Sequence, residues 1–366
     1  MKRISLVLSM CLLLVLTACG GGQNAPAENG KNGANATNAA AENTATEDKK
    51  AEDAEAADET TAAADRKVFI DAKELADLQK NEKDLVIVEA AWGEGKDGMY
   101  GKKHIPGAIH MNTDSIEEGP AWNLRAADEL EKAFLEHGIT KDTPVVVYGE
   151  DTGRDRVAFT LLYGGVEDVK VLDGNIATWE AAGFETETNE VKPEAAKEFG
   201  TKIPAHPEYL LSLEEVQEKL KDDNFKLVSI RSEEEWIGKT SGYTYIPKAG
   251  EPKGAVWGKS GEGNSGMDYY VNEDNTHKPW DEIVAMWKEQ GFGPENDLSF
   301  YCGTGWRACL PWLMAYENGV DATLFDGGWN EWQMHDELEV QVGDPKSDDV
   351  VYTTVGELSN DKAAAE

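Results

Sequence analysis

The chain has 366 residues, with 35 Lys or Arg against 70 Asp or Glu, and its formal net charge is −35. Nucleic acids and anionic lipid headgroups are disfavoured as partners of so acidic a chain, because their phosphates repel it. Its four cysteines do not suggest a disulfide scaffold, and no grouping of Cys and His has the spacing of zinc ligands, so we predict no metal site.

The N-terminal residues have the pattern of an export signal. Two basic residues precede an apolar run over residues 4–16, which is shorter than the roughly 20 residues of a spanning helix. Residues 16–19 read Leu-Thr-Ala-Cys and resemble the bacterial lipobox, in which the Cys receives lipid. We therefore expect a lipoprotein signal peptide over residues 1–18 and a lipid anchor at Cys19, on the extracytoplasmic side of the cell membrane. An ordinary signal peptide is the alternative.

Residues 19–65 are predicted to form a disordered tether. They are rich in Ala, Asn, Glu and Thr and contain no aromatic residue, so they cannot bury enough apolar area to offset the entropy lost on ordering. The chain that follows has about 300 residues, which suggests two domains. We place these domains at residues 66–190 and 205–345.

The first domain is predicted to alternate helices with short buried strands, because amphipathic stretches alternate with short apolar runs. In chain order we predict a helix at 72–79, a strand at 85–88, a Gly/Pro-rich turn at 104–109, a helix at 126–137, a strand at 145–148 and, after a loop and a third helix, a strand at 169–172 that ends in Asp-Gly.

The same order of signals recurs in the second domain, which indicates an internal repeat. Tyr148 and Tyr301 lie 153 positions apart, as do Trp179 and Trp332. Short buried runs that alternate with helices are typical of a parallel sheet covered on both faces. We therefore predict an α/β fold of two similar domains, each a parallel sheet with helices on both faces. The matching elements of the second domain are predicted at residues 213–220, 227–230, 280–290, 298–301 and 322–325.

A glycine-rich loop with a cysteine follows the strand at 298–301 and reads Cys302-Gly303-Thr304-Gly305-Trp306-Arg307. Ligands in open α/β sheets bind outside the carboxyl ends of the strands. Loop N–H groups and the start of the next helix favour negative charge there, so a thiolate on Cys302 would be stabilised and could act as a nucleophile. Arg307 could brace the loop or hold an anionic donor. A buried structural cysteine is the alternative.

This loop resembles the six-residue active-site loop of rhodanese-type sulfurtransferases. The resemblance covers roughly residues 67–340 and is to the tandem-domain thiosulfate and 3-mercaptopyruvate sulfurtransferases. Its further points are the turns at 104–109 and 253–256, and the Asp-Gly-Gly at 326–328 that is followed by Trp332.

The resemblance implies a two-step sulfur transfer through a persulfide on Cys302. The donor would be thiosulfate or 3-mercaptopyruvate, the acceptor a thiol or cyanide, and no metal or organic cofactor would be needed. A persulfide carrier or binding lipoprotein without turnover stays open as an alternative. Phosphatases of the same fold have five residues between Cys and Arg, whereas four stand here, which disfavours that reading. The substrate-binding residues implied are Gly303, Thr304, Gly305, Trp306 and Arg307.

The first domain lacks the thiol that this chemistry needs. At a distance of 153 positions, Gly149 takes the place of Cys302 and Arg154 that of Arg307. Glu150 would also repel an anionic donor. We therefore expect the first domain to be inactive and to serve as structure or as one wall of the active-site cleft.

Four positions bear on the choice of donor or on a second thiol. Thr304 stands where mercaptopyruvate-type loops have Ser and thiosulfate-type loops have Lys, and it either acts directly or packs the loop. Arg231 is interpreted as part of a structural ion pair, with contact to the substrate as the alternative. Glu235 falls where the tandem enzymes have an Arg that contacts the donor. Cys309 is interpreted as a buried small side chain, with a resolving thiol as the alternative.

Overall fold

The computed structural model of the protein describes residues 66–365. The predicted signal peptide, the lipidation site at Cys19 and the tether over residues 19–65 lie outside the described residues. Within residues 66–365, no helix combines the length and the apolar character that crossing a membrane requires.

Helices and strands alternate along both halves of the chain. The strands within residues 66–365 are β1 (Phe69–Ile70), β2 (Val86–Ala91), β3 (Ile109–Asn112), β4 (Glu117–Glu118), β5 (Asn123–Leu124), β6 (Val145–Tyr148), β7 (Val169–Leu172), β8 (Leu210–Leu211), β9 (Phe225–Ser229), β10 (Glu251–Pro252), β11 (Val256–Trp257), β12 (Asp297–Tyr301), β13 (Ala322–Phe325), β14 (Glu339–Val342) and β15 (Val351–Thr354). The α-helices over the same residues are α1 (Ala72–Asn81), α2 (Met99–Lys102), α3 (Ala127–Glu136), α4 (Gly153–Gly164), α5 (Ile176–Ala181), α6 (Leu213–Lys219), α7 (Glu233–Trp236), α8 (Trp280–Gln290), α9 (Trp306–Glu317) and α10 (Gly328–Trp332).

The two halves carry the same sheet. In the first half the strand order is β1-β7-β6-β2-β3, and in the second half it is β8-β13-β12-β9-β11, with every pairing parallel. Each strand therefore has a counterpart at the same place in the other sheet. The predicted α/β fold, with two similar domains built on parallel sheets, is confirmed.

Helices cover both faces of the first sheet. Successive side chains of a strand point to opposite faces, and in β6 Val145 and Val147 pack in one buried cluster, while Val146 and Tyr148 pack in another. The first cluster includes side chains of α3 and α4, and the second includes side chains of α1 and α5. This two-sided burial explains why β6 is apolar at every position.

Capping boxes set the starts of α1 and α6, which begin at the predicted residues. Asp71 accepts a hydrogen bond from the Glu74 backbone N–H, and the Glu74 side chain accepts one from the Asp71 backbone N–H, which closes a capping box at the start of α1. Ser212 and Glu215 form the same box at the start of α6.

Helices α4 and α9 pack against each other and join the two halves in one core. The ring of Phe159 in α4 meets the ring of Trp312 in α9 edge to face, with their centroids 4.7 Å apart. At the start of α4, a Cβ added to Gly153 would lie 3.2 Å from the ring of Trp306 at the start of α9. The loops that follow β6 and β12 are therefore brought together.

The chain continues to pack beyond residue 345, where the predicted second domain ended. Strand β15 extends an antiparallel sheet with β14 and β10. Further on, the Ser241 N–H donates to the Lys362 carbonyl at 2.8 Å, and the Ala364 N–H donates to the Tyr243 carbonyl at 3.0 Å. The C-terminal segment thus helps to fix the stretch of chain that contains Tyr243.

Candidate active site

Cys302 lies at the carboxyl end of β12, the central strand of the second sheet, and is buried. Helix α9 begins four residues later, at Trp306. This is the place where open α/β sheets bind their ligands.

The loop after Cys302 contains backbone N–H groups that the fold does not use within residues 66–365. Within the described part of the chain, the N–H groups of Gly303, Thr304 and Gly305 donate no hydrogen bond. The carbonyls of Cys302 and Gly303 are held instead by the start of α10, where they accept from the Trp329 and Asn330 N–H groups at 2.9 and 3.0 Å. Successive free N–H groups in a tight loop form a concave site for an anion.

Two glycines are required by the shape of this loop. Gly305 has φ of 92°, which L side chains rarely adopt. A Cβ on Gly303 would lie 2.2 Å from the ring of Tyr243, so a larger residue would collide with that ring. The Tyr243 ring therefore covers the loop at Gly303.

Arg307 is held by a carboxylate within the protein. Its Nη1 and Nη2 atoms donate to the two carboxylate oxygens of Glu235 at 2.8 and 2.9 Å, and Nη2 also donates to the Tyr243 hydroxyl at 3.3 Å. Arg307 and Arg231 together lower the pKa of the buried Glu235 to about 2 despite its desolvation. Of the two roles expected for Arg307, the structure shows the bracing one.

Arg231 extends the same buried network. Its Nε atom donates to Glu235 at 3.2 Å and its Nη1 atom to Glu251 at 2.9 Å, in agreement with the structural ion pair expected from the sequence. Glu251 in turn accepts a hydrogen bond from the Tyr301 hydroxyl, one residue before Cys302. Glu235 and Glu251 thus alternate with two arginines behind the loop.

The hairpin formed by β4 and β5 reaches from the first domain onto the second. Its Leu124 N–H donates to Asp326 Oδ2 at 2.7 Å, and the Asn330 side chain donates to the Pro120 carbonyl at 2.9 Å. Its buried Glu117 accepts from Trp306 Nε1 at 2.6 Å. Sequence reasoning missed this hairpin, because its two-residue strands have no periodic apolar pattern.

Arg156 of α4 fixes this junction between the domains. Its Nε atom donates to Glu117 at 3.0 Å, and its Nη1 atom lies 2.6 Å from Asp326 Oδ1. All three side chains are buried. Burial outweighs the attraction of Arg156 and raises the pKa of Glu117 to about 7.

Two small cavities open beside the loop and share Tyr245, Thr304 and Trp306. One, of about 280 Å³, is lined by Asp151 and Thr152 of the first domain and by residues of the second domain that include Tyr243 and Arg307. The first domain therefore forms part of the wall of this cavity, as the sequence predicted. The other cavity, of about 210 Å³, is lined by Trp92, Glu117, Trp122, Tyr245, Thr304 and Trp306.

Cys309 is buried in α9, where its thiol donates to the Gly305 carbonyl at 3.2 Å. Burial raises the pKa of this thiol well above its ordinary value. Cys302 and the loop at residues 303–307 thus lie together, and Cys309 packs behind this loop.

The two domains share one parallel α/β fold, and the second carries Cys-Gly-Thr-Gly at the end of its central strand. Residues 71–182 and 212–335 match the model of the rhodanese-like domain. The chain therefore belongs to the rhodanese-like family and contains two such domains, which confirms the family predicted from the sequence.

The similar proteins include thiosulfate sulfurtransferases. Thiosulfate sulfurtransferase YnjE of Escherichia coli (strain K12) is 42% identical over 264 residues, which are 71% of this chain and 60% of that protein. The chain thus spans less than two thirds of the length of this relative. The crystal structure of YnjE has a TM-score of 0.73 and 40% identity, over 75% of this chain and 68% of that one.

A second similar structure is that of EanB. It has a TM-score of 0.73 and 35% identity, over 76% of this chain and 70% of that one. The solved forms of EanB include a cysteine persulfide with ergothioneine and complexes with hercynine.

Proposed function

We propose that the protein is a rhodanese-type sulfurtransferase in which Cys302 carries the sulfur. The observation that supports this best is the position of Cys302 at the end of β12, before a loop whose N–H groups at Gly303, Thr304 and Gly305 have no acceptor within residues 66–365. Those groups can receive the negative charge of a thiolate or of a persulfide. The names of the relatives and the family to which the chain belongs point the same way.

The transfer has two displacement steps. The Cys302 thiolate attacks the outer sulfur of thiosulfate or the thiol sulfur of 3-mercaptopyruvate. A new S–S bond forms, and the bond that joins the transferred sulfur to the rest of the donor breaks, an S–S bond in thiosulfate and a C–S bond in 3-mercaptopyruvate. Thiosulfate would leave as sulfite and 3-mercaptopyruvate as pyruvate, with a proton taken up. A thiol or cyanide then attacks the outer sulfur, Cys302 leaves as thiolate, and the product is a persulfide or thiocyanate.

The charge around the loop bears on the donor. Arg307 lines the larger cavity, but Glu235 already binds its guanidinium through both oxygens. Asp151 lines the same cavity with a carboxyl group. A doubly charged donor such as thiosulfate therefore meets little uncompensated positive charge, so we expect a high KM for thiosulfate and a lower one for the singly charged 3-mercaptopyruvate.

The test is sulfur transfer by purified protein from residue 66 onward, with each donor and with cyanide or a thiol as acceptor. Cys302→Ser should abolish both turnover and the mass increase of one sulfur atom that follows incubation with donor. Cys309→Ser is the matched control and should keep both. Wild-type transfer by Cys302→Ser would overturn the proposal, and a stable adduct with negligible turnover would favour the persulfide carrier.

Sulfur transfer to the imidazole of a histidine betaine is a second candidate function. In EanB, solved structures include variants of a threonine two positions after the persulfide cysteine and of a tyrosine 59 positions before it. Thr304 and Tyr243 stand at the same separations from Cys302, and both line the larger cavity.

Incubation of the persulfide form with hercynine tests this second function. Formation of ergothioneine, followed by mass spectrometry, should depend on Tyr243, and Tyr243→Phe should reduce it more than it reduces transfer to cyanide. Transfer to cyanide with no ergothioneine would exclude this acceptor and leave the first proposal standing.

We also propose that the protein is lipid-anchored through Cys19 on the extracytoplasmic side of the cell membrane. The support is the charged start, the short apolar run and the Leu-Thr-Ala-Cys at residues 16–19. In cells grown with an alkyne-tagged fatty acid, the full chain should be labelled and Cys19→Ser should not. Equal labelling of the two would contradict the anchor.

A further inference from the structure

Aromatic side chains from both domains surround the smaller cavity beside the loop. Its rings come from Trp92 and Trp122 of the first domain and from Tyr245 and Trp306 of the second. Thr304, two residues after Cys302, lines the same space. A ligand in this cavity would therefore lie next to the loop that is proposed to carry the sulfur.

Two of these residues are more than half exposed. Trp92 is 69% exposed and Tyr245 is 53% exposed, although both are large and apolar. Within residues 66–365, none of the four rings stacks on another of the four. Rings that line one space without packing together leave their faces available to a ligand.

The backbone at Trp122, whose ring lines the smaller cavity, has an uncommon conformation. Trp122 has φ of 66°, which is uncommon for a bulky side chain. Its carbonyl accepts from Arg156 Nη2 at 3.2 Å, and the hairpin around it is bonded to Asp326 and Asn330. Strain of this kind persists where surrounding contacts enforce it, and it clusters at binding sites.

The charge behind the rings is negative. Glu117 and Asp326 supply two carboxyl groups against the single guanidinium of Arg156, and all three are buried. Glu117 also lines the cavity and accepts from the Trp306 indole, whose ring faces the same space. Burial raises the pKa of Glu117 to about 7, so a cation in the cavity would favour its ionised form.

We propose that Trp92, Trp122, Tyr245 and Trp306, with Glu117 behind them, form an aromatic cage that binds the alkylammonium group of a sulfur acceptor. Aromatic faces attract cations through the ring quadrupole, and cages of several rings are used for quaternary ammonium groups. The carboxylate supplies the counter-charge. The acceptor role rests on the proposed sulfur transfer at Cys302, whereas the binding of the cation does not.

The binding test uses the Cys302→Ser protein, which cannot carry sulfur. Choline is compared with 3,3-dimethylbutan-1-ol, a neutral molecule of the same shape, by calorimetry and tryptophan fluorescence. Choline should bind at least about tenfold more tightly, which corresponds to about 1.4 kcal/mol. Trp92→Ala should remove this preference. Tyr352→Ala removes another exposed aromatic ring, on β15; it is the matched control and should keep the preference.

The kinetic test uses thiocholine and 3,3-dimethylbutane-1-thiol as acceptors for the sulfur-loaded protein. The two thiols differ in acidity, so the readout is the change in the ratio of their kcat/KM values between the wild type and Trp92→Ala. The kcat/KM for thiocholine divided by that for 3,3-dimethylbutane-1-thiol should fall about tenfold in Trp92→Ala. The acidity of each thiol is the same with both proteins, so the change reports the loss of the ring of Trp92.

The outcomes separate the two proposals. Equal binding of choline and its neutral analogue, or an unchanged preference in Trp92→Ala, would overturn the cage even if sulfur transfer is observed. Selective binding of choline with no transfer to any acceptor would support the cage and overturn its role in sulfur transfer. An unchanged ratio of thiol acceptors in Trp92→Ala would likewise remove the acceptor role.

Discussion

Glu235 is the side chain that balances the charge behind the loop. It sits between Arg307 and Arg231, accepts from both, and is buried. Two neighbouring guanidinium groups without this carboxylate would repel each other in a medium that screens poorly. The resemblance led us to expect, near position 235, an Arg that contacts the donor. Glu235 stands there instead and forms ion pairs inside the protein.

This arrangement predicts a stability that depends on pH. The pKa of Glu235 falls from 4.5 to about 2 on folding. Its contribution is therefore fully present above pH 4.5, and it is lost as the pH falls towards 2, to the extent of about 3 kcal/mol. Glu235→Gln should cost about 3–5 kcal/mol at pH 7 and should flatten this part of the curve.

Urea unfolding at a series of pH values measures this effect. Glu234→Gln is the control, because Glu234 lies one position earlier on α7 and its side chain is exposed. It should change the stability by less than about 1 kcal/mol. A curve for Glu235→Gln parallel to that of the wild type between pH 5 and about 2 would contradict the prediction.

For Cys309, the structure favours a buried small side chain over the resolving thiol that the sequence left as the alternative. A resolving thiol must attack as a thiolate, but Cys309 is buried, its pKa is raised and its thiol is bonded to the Gly305 carbonyl. We expect Cys309→Ala to keep the rate of transfer within about threefold and to lose about 1 kcal/mol of stability through the missing contact.

Steady-state kinetics with an oxidant challenge check this expectation. If Cys309 protects Cys302 by forming a disulfide, Cys309→Ala should lose activity in dilute peroxide faster than the wild type and should not recover it with a reductant. Equal rates of loss in the two proteins are expected from the structure.

At the scale of elements, the repeated α/β units could be predicted because their signals are local. Strand β6 lies at the predicted residues, α8 matches its predicted range, and α3 differs by one residue at each end. The loop at Cys302 was also found, since its glycines and its position after a buried run are visible in the chain. The apolar patterns that define these elements, like the capping boxes that start α1 and α6, lie within a few residues of one another in the chain.

The hairpin of β4 and β5 could not be predicted, because its structure depends on the other domain. Its strands have two residues each, and its contacts join Leu124 to Asp326 and Glu117 to Trp306, about 200 positions away. The pairing of Arg307 with Glu235 was missed for the same reason, since those residues are 72 positions apart. Contacts set by tertiary packing leave no local pattern.

Arg156 provides the test of how the hairpin is held. Arg156→Met leaves Glu117 and Asp326 buried and uncompensated, which should cost about 3–5 kcal/mol. Adding Glu117→Gln and Asp326→Asn should restore most of the loss, because no buried charge then stays unpaired.

Unfolding by urea at pH 7 compares the single and triple variants. Lys132→Met is the control, because Lys132 pairs with the exposed Glu136 on α3 and should contribute less than about 1 kcal/mol. If Arg156→Met were as stable as the wild type, the ion pairs across the junction would not be what holds the hairpin on the second domain.

At the scale of the whole molecule, the two domains share one fold but differ in the loops that meet between them. The loops after β6 and β12 occupy equivalent places, and the packing of α4 on α9 brings them together. One loop offers Cys302 and free N–H groups, while the other offers Asp151 and Thr152 as a wall of the cavity beside it. The first domain can therefore lack a thiol and still form part of the site that we propose in the second.

This asymmetry predicts that a thiol cannot simply be restored to the first domain. A Cβ at Gly149 would lie 2.5 Å from the Ala90 carbonyl oxygen, which is backbone and cannot move aside cheaply. The carboxylates that follow, Glu150 and Asp151, would also oppose a thiolate. Gly149→Cys in a Cys302→Ser background should therefore neither load sulfur nor transfer it, and should lose about 1–3 kcal/mol of stability.

The comparison that isolates these causes uses Gly149→Ala in the same background. Alanine introduces the same Cβ without a thiol, so the two variants should lose similar stability in thermal unfolding, and neither should gain mass after incubation with donor. A persulfide on the Gly149→Cys protein would show that the backbone at Ala90 yields and that the acidic residues do not prevent loading. The inactivity that we predict for the first domain would then rest on the missing thiol alone. We expect instead that the surrounding loop also lacks the shape and charge that a thiolate needs.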